Sequence, residues 1–212
     1  AMADSPMGPF TFTGIIMDES PSGCWTNHHS ITEYNGQWYL FYHHNDYSPN
    51  FDKNRSARID SLFFNTDGTI KKVKPTLRGV GITDARSKIQ IDRYSTISPY
   101  GVTIDYLEPS NTFEGWQTLF NRAGTWVTYN KVDFGTTPVK RLKARVRSEK
   151  GGAITLRTPG EKGMTIAELP IKPTGKWTEI STNVSNAPTS MQDLIITQTG
   201  ENPVAVDWIS FE

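Results

Sequence analysis

The sequence predicts an all-β protein in two parts, the second of them a β-sandwich. Three observations predict it. Aromatic and β-branched runs are broken throughout by turn residues, with 17 Gly and 13 Pro in 212 residues. Asn35-Gly36 separates two such runs, Ser30 to Tyr34 and Gln37 to His43, and Asn-Gly in that setting is the strongest short-range hairpin signal. From Ile89 onward strict two-residue alternation takes over, and no stretch there repeats with a helical period.

Taken in order, Phe10 to Met17 reads as a strand after the turn Ser5-Pro6-Met7-Gly8-Pro9. The Asn35-Gly36 hairpin follows. Arg58 to Phe64 then turns at Asn65-Thr66-Asp67-Gly68, and Thr69 to Val73 returns. Asn45 to Asn54 is too long and polar for a hairpin turn and is expected to be a functional or mobile loop. Lys74 to Lys88, with Pro75, Gly79, Gly81 and mixed charge, is the expected linker, which divides the chain into residues 1–86 and 87–212. Beyond it, Leu142-Lys143-Ala144-Arg145-Val146-Arg147 puts apolar side chains on one face and cations on the other, a strand with one wet face. Ala153 to Arg157, Met164 to Leu169, Trp177 to Val184, Asp193 to Thr197 and Val204 to Phe211 continue the series. A run of about ten short strands with turns between them indicates a sandwich.

Composition excludes several functions. The 22 basic and 22 acidic residues cancel, whereas a nucleic-acid or polybasic membrane partner needs a positive field. No apolar run approaches the roughly 20 residues of a membrane helix. Ala1-Met2-Ala3-Asp4 has neither the charged start nor the apolar stretch of a signal peptide. Cys24 is the single cysteine, so no disulfide forms within the chain.

Two family resemblances cover nearly the whole sequence. Ser5-Pro6-Met7-Gly8-Pro9-Phe10, Trp25-Thr26-Asn27-His28-His29-Ser30-Ile31, Trp38-Tyr39-Leu40-Phe41-Tyr42-His43, Asn54-Arg55-Ser56 and Asn65-Thr66-Asp67-Gly68-Thr69-Ile70 resemble the last part of a glycoside hydrolase family 43 catalytic domain. That resemblance implies the final one to two blades of a five-bladed β-propeller. Ile89-Gln90-Ile91-Asp92-Arg93-Tyr94-Ser95, Gly124-Thr125-Trp126-Val127-Thr128-Tyr129-Asn130 and Val206-Asp207-Trp208-Ile209-Ser210-Phe211 resemble carbohydrate-binding module family 6, which implies a jelly roll. The expected fold is a partial β-propeller followed by a jelly-roll β-sandwich.

The resemblance also assigns roles. The hydrolase family inverts with two aspartates and a glutamate, and its two carboxyls flank the bond at about 6.5–9.5 Å. All three lie upstream of the segment that matches Ser5, so no catalytic residue is expected in this chain. Arg55 matches the arginine that leans into the sugar pocket, and Trp25 is placed to stack on a sugar at its wall. His28 matches the histidine at the propeller axis, near a bound calcium or water cluster. His28, His29, His43 and His44 form two adjacent pairs, but neighbours on a strand point to opposite faces, which leaves two imidazoles and no third zinc ligand. In the module, Gln90, Asp92 and Asp207 match a structural calcium site of oxygen donors, provided the last strand lies beside the first. Trp177 and Phe120 match the aromatic pair that clamps a pyranose ring. Ala205 stands where the sugar-binding asparagine is expected, so that amide is lost. Trp126, Tyr129 and Trp208 are assigned to the core.

These readings lead to the C-terminal portion of a secreted or periplasmic glycosidase acting on β-xylosyl or α-L-arabinofuranosyl linkages, with a module that binds xylan-type polysaccharide. Two alternatives of another class stay open: a carbohydrate-binding protein without catalysis, and a sandwich serving only as support. The front segment, with too few strands to close a ring, is expected to leave apolar faces open.

Overall fold

Asn35 and Gly36 both take positive φ, 51° and 77°, as a type I′ turn requires. They join β1 (Ser30–Tyr34) to β2 (Gln37–His44), and the Glu33 carboxylate accepts the Gly36 N–H at 2.7 Å. β3 (Ser56–Leu62) pairs antiparallel with β2, giving a three-stranded sheet in the order β1-β2-β3. The computed structural model describes residues 1–19, 28–45, 55–161 and 163–212. The loop expected at 45–54 lies outside the described residues apart from Asn45, as do Cys24 and Trp25.

One face of this sheet is buried. Leu40, Tyr42 and Leu62 cluster with Val73, and Ile16, Met17, Ile31 and Ile70 pack against them. The strand expected over Phe10 to Met17 does not form; among the described residues only single bridges, Met2 to Thr11 and Met17 to Val73, tie that stretch down. Alternation alone does not make a strand without a neighbour to complete its ladder, and Phe10 and Phe12 remain 64% and 75% exposed. The return over Thr69 to Val73 likewise reduces to one bridge, Phe64 to Ile70.

The expected linker belongs to the two units it joins. The compact units are residues 1–80 and 81–212, so the boundary falls at Val80/Gly81 and not at residue 86. The reason is polar. Asp60, buried on β3, accepts the Thr76 N–H at 3.0 Å and its hydroxyl at 2.5 Å, and the Thr76 hydroxyl in turn accepts the Gly79 N–H at 2.9 Å. Residues 74–80 are thereby folded onto the first unit. On the other side of the boundary, Ala85 is fully buried and its N–H donates to Asp133 O at 2.9 Å.

The second unit is a sandwich of two six-stranded sheets. Its strands are β4 (Thr83–Asp84), β5 (Ile89–Gln90), β6 (Thr96–Ile97), β7 (Val102–Tyr106), β8 (Trp116–Phe120), β9 (Trp126–Asp133), β10 (Arg141–Arg147), β11 (Gly152–Arg157), β12 (Thr165–Ile171), β13 (Thr178–Asn183), β14 (Met191–Gln198) and β15 (Val204–Phe211). One sheet runs β13-β10-β15-β8-β7 with β5 also on β15; the other runs β12-β11-β14-β9-β4 with β6 also on β9. All pairs are antiparallel except β4 with β9. Inward Leu142, Ala144 and Val146 alternate with outward cations on β10, as the pattern predicts. The two sheets meet through contacts such as Phe134 against Phe211, edge to face at 5.0 Å. β15 carries a bulge at Asp207, where Ala144 pairs with Ile209 and Arg145 with Trp208, but Val146 with Val206.

Candidate functional site

The ends of β8 and β10 and the start of β15 converge at one end of the sandwich. Ser148 ties the loops there together: its hydroxyl donates to Pro203 O at 2.7 Å and its N–H to the Thr174 hydroxyl at 3.0 Å. Between them lies a cavity of about 550 Å³ lined by Arg147, Ser148, Glu149, Lys150 and Asn202 on the polar side. Leu119, Pro203 and Ala205 supply its apolar side. Leu119 and Ala205 are direct cross-strand partners and so share the outer face of the sheet. Such a mixture of apolar floor and convergent polar groups suits a ligand with both C–H faces and hydroxyls.

Trp177 stands beside this cavity. It immediately precedes β13, and its ring lies under two guanidiniums, Arg145 at 5.4 Å and Arg147 at 5.1 Å from the centroid. Arg147 lines the cavity, so the indole and the cavity share that side chain. Phe120 does not join them. It is fully buried (0% exposed) because it pairs with Val204 and Val102, both on the inner face, and a residue's partner lies on the same face. Phe120 is a core residue, so the expected two-ring clamp with Trp177 does not form. Arg147, Lys150 and Asn202 were passed over in the sequence. The cation alternation through Arg147, followed at once by the turn at Ser148 to Gly152, was the available signal.

A second cavity, of about 380 Å³, gathers Gln90, Asp92 and Asp207 together with Lys88, Arg145 and Trp208. The last strand does lie beside the first: Gln90 pairs with Trp208. Asp92 sits in a 3-10 turn over Ile91–Arg93 instead of on the strand, and it is 3% exposed. Asp207 is 6% exposed, and the Arg145 guanidinium donates to it at 2.6 Å. Burial pushes the Asp207 carboxyl above its usual range, against the opposing pull of Arg145 and, more weakly, Lys88. An amide oxygen and two buried carboxylates at one cavity are hard oxygen donors, the kind calcium takes. The donor set fits that ion.

In the first unit, the buried face of β2 and β3 carries polar groups beside Leu40 and Leu62. The Tyr42 hydroxyl donates to Asp60 at 2.5 Å, and the Arg58 guanidinium donates to the His44 imidazole and to Leu77 O. His43 projects to the opposite side of β2 from His44 and meets His28, with ring centroids 5.8 Å apart. The His28 N–H donates to His43 Nδ1 at 3.4 Å. These donors are nitrogen, and among the described residues no group of three or more His, Cys, Asp or Glu converges. Among the described residues His28 meets imidazole nitrogen, whereas calcium takes oxygen donors. Arg55 is exposed just before β3. The buried arginine of this unit is Arg58. Two other carboxylates of the unit are engaged: Asp18 with Lys72 at 2.6 Å, and Asp67 with the Thr69 hydroxyl and N–H at 2.6 and 3.0 Å.

Comparison with known proteins follows this division. The chain is 28% identical over 215 residues to an arabinoxylan arabinofuranohydrolase of Paenibacillus polymyxa, an alignment that takes in 94% of the chain and 33% of that protein. A crystal structure of a glycoside hydrolase family 43 arabinoxylan arabinofuranohydrolase from Bacillus subtilis, in complex with cellotetraose, superposes with a TM-score of 0.64 at 26% identity. It covers 99% of this chain and 46% of that one, so the likeness takes in both units. A family 6 carbohydrate-binding module from Clostridium cellulolyticum, in complex with xylose, superposes at TM-score 0.54 and 28% identity over 61% of this chain and 99% of its own. The chain thus spans about a third of the length of its curated hydrolase relative. The family model for carbohydrate binding module (family 6) matches residues 97–212, more than half of the sequence, and on that match the chain belongs to this family.

Proposed function

We propose that the sandwich binds plant cell-wall polysaccharide of the xylan or arabinoxylan type, in the loop-end cavity beside Trp177. The observation that carries this reading is the cavity itself: an apolar floor of Leu119 and Ala205, ringed by hydrogen-bonding groups and flanked by an indole, in a family 6 module. Aromatic faces bury the C–H side of a pyranose, while amide and guanidinium donors select its hydroxyls. The absent amide at position 205 is replaced in this reading by that of Asn202, which lines the same cavity. Native gel electrophoresis of the chain through arabinoxylan tests it. Retardation by the polysaccharide is expected, with a loss of at least roughly tenfold in affinity for Trp177→Ala if the indole supplies about 1.4 kcal/mol or more. Equal migration of both proteins with and without arabinoxylan would refute it.

The whole protein is proposed to be an extracellular glycosidase acting on β-xylosyl or α-L-arabinofuranosyl bonds, with residues 1–80 forming part of its β-propeller. Support comes from the hydrolase relatives and from the blade-like sheet β1-β2-β3. Arg55 and Trp25 are the proposed sugar contacts of that domain. The chain by itself is proposed to bind without hydrolysing. In support, the described carboxylates Asp18, Asp60 and Asp67 each hold a local partner. Assays with 4-nitrophenyl arabinofuranoside and xyloside are expected to show no turnover above buffer; turnover would place the acid and base within this chain.

Calcium is proposed at Gln90, Asp92 and Asp207, where it would link β5 to β15. Its contribution there is structural, since it compensates buried carboxylate charge. Among the described residues no helix is long and apolar enough to cross a membrane.

A further inference from the structure

We propose that the loop-end cavity is selective for uronate-bearing polysaccharide, with Arg147 and Lys150 receiving the sugar carboxylate. The proposal rests on the polysaccharide reading of the same cavity and names the class of sugar it takes.

Four cations project from the outer face of β10, and three of them are already committed. Arg141 donates to the Ser181 hydroxyl, Lys143 pairs with Glu212 at 2.5 Å, and Arg145 pairs with Asp207 at 2.6 Å. Arg147 differs. Among the described residues its side chain makes no hydrogen bond and no ion pair, and it lies over the Trp177 ring, with its guanidinium carbon 5.1 Å from the centroid. It acts on the Glu108 carboxylate weakly through space, while that carboxylate accepts from the Ser110 hydroxyl and N–H. A guanidinium held over an indole by cation–π attraction keeps its N–H groups available in a fork that matches a carboxylate.

The surroundings favour an anion. Lys150 lines the same cavity and is likewise without a hydrogen bond or ion pair among the described residues, against one lining anion, Glu149. The position of Arg147 is defined by its neighbour Ser148, which is buried and bonded to Pro203 and Thr174. A neutral pentose offers this pair only hydroxyls and no carboxylate to match the guanidinium fork. A hexuronate offers the charge and, on its ring, the C–H face that suits Leu119 and Ala205. The cation pair thus adds recognition of a carboxylate to the hydroxyl contacts proposed for Asn202 in the same cavity.

Affinity electrophoresis with the full chain tests this. The probes are glucuronoxylan, the same polysaccharide after chemical reduction of its carboxyl groups, and polygalacturonate. Glucuronoxylan is expected to bind roughly fivefold more tightly than its reduced form, the range of a partly exposed charge pair. That ratio should fall toward one in 0.5 M NaCl, and also in Arg147→Ala and in Lys150→Ala, each checked for native fold by circular dichroism. Stronger retardation by polygalacturonate assigns the uronate to a pectic backbone; stronger retardation by glucuronoxylan assigns it to xylan side groups. Equal binding of the native and reduced xylan, or a ratio untouched by both substitutions, would overturn the uronate assignment while leaving the sugar site standing. Absence of binding to every probe would overturn the polysaccharide reading with it.

Discussion

Tyr42 shows how a single hydroxyl can couple a unit's stability to pH. Burial and, after it, the hydrogen bond to Asp60 push its ionisation well above the usual tyrosine value of 10.0. The folded state therefore holds this proton more tightly than the unfolded chain does. The resulting stabilisation is complete below pH 10 and is lost as pH rises from there through the folded value. Denaturant midpoints of residues 1–80 are expected to fall between pH 9 and 11 in the native chain and to change less in Tyr42→Phe, which should cost about 1 to 2 kcal/mol at neutral pH. Parallel pH curves for both would argue against the coupling. Little of this was legible in the sequence. Tyr42 read as one more aromatic on a β-rich run, and Asp60 as an unremarked residue of the next strand; only the register of β2 on β3 brings them together. Phe120 failed for the opposite reason. Matching a motif fixes a position along a strand, but a one-step difference in which face that position occupies sends the ring to the core.

At the level of elements, the alternating patterns were reliable and the isolated ones were not. β10, β13 and β15 lie within a residue or so of where two-residue alternation put them, because each has a partner strand along most of its length. Phe10 to Met17 carried a comparable pattern and forms no strand, having no such neighbour among the described residues. The pairing of β5 with β15 was expected as a condition for Gln90, Asp92 and Asp207 to act together, and it is present. Because Asp207 titrates above its usual range, its contribution to folding is greatest below about pH 4 and is lost as pH rises through the folded value. At neutral pH its buried charge depends on Arg145, and a cation would add to that compensation. Calcium at a hundredfold its Kd should stabilise the sandwich by about 2.7 kcal/mol, roughly 5 to 10 °C in Tm, relative to chelator. Asp92→Asn should abolish most of that increment. Identical calorimetric traces with calcium and with chelator would remove the ion from the site.

For the whole molecule, the two units differ in how well each buries its apolar surface. The first relies on a cluster around Leu40, Tyr42, Leu62 and Val73, and it leaves Met7, Phe10, Phe12, Ile15 and Phe63 exposed. The sandwich has fully buried side chains in both sheets, among them Phe120, Leu142, Ile154, Leu194 and Phe211. Unfolding by urea is expected to proceed in two steps, with residues 1–80 opening at the lower concentration, or with the chain associating through that unit. A single transition of a monomer, followed by tryptophan fluorescence and far-ultraviolet circular dichroism together, would contradict this.

β15 is the last strand along the sequence, yet it occupies the middle of its sheet, hydrogen-bonded to β10, β8 and β5. A ribosome making this chain therefore delivers the keystone after every other strand of the sandwich. Until Val204 to Phe211 clear the exit tunnel, β10 and β8 have no common partner and their inner faces stay wet. Closure of the sandwich must wait for that strand, and a nascent chain stopped before Val204 would have nothing to join the two halves of that sheet.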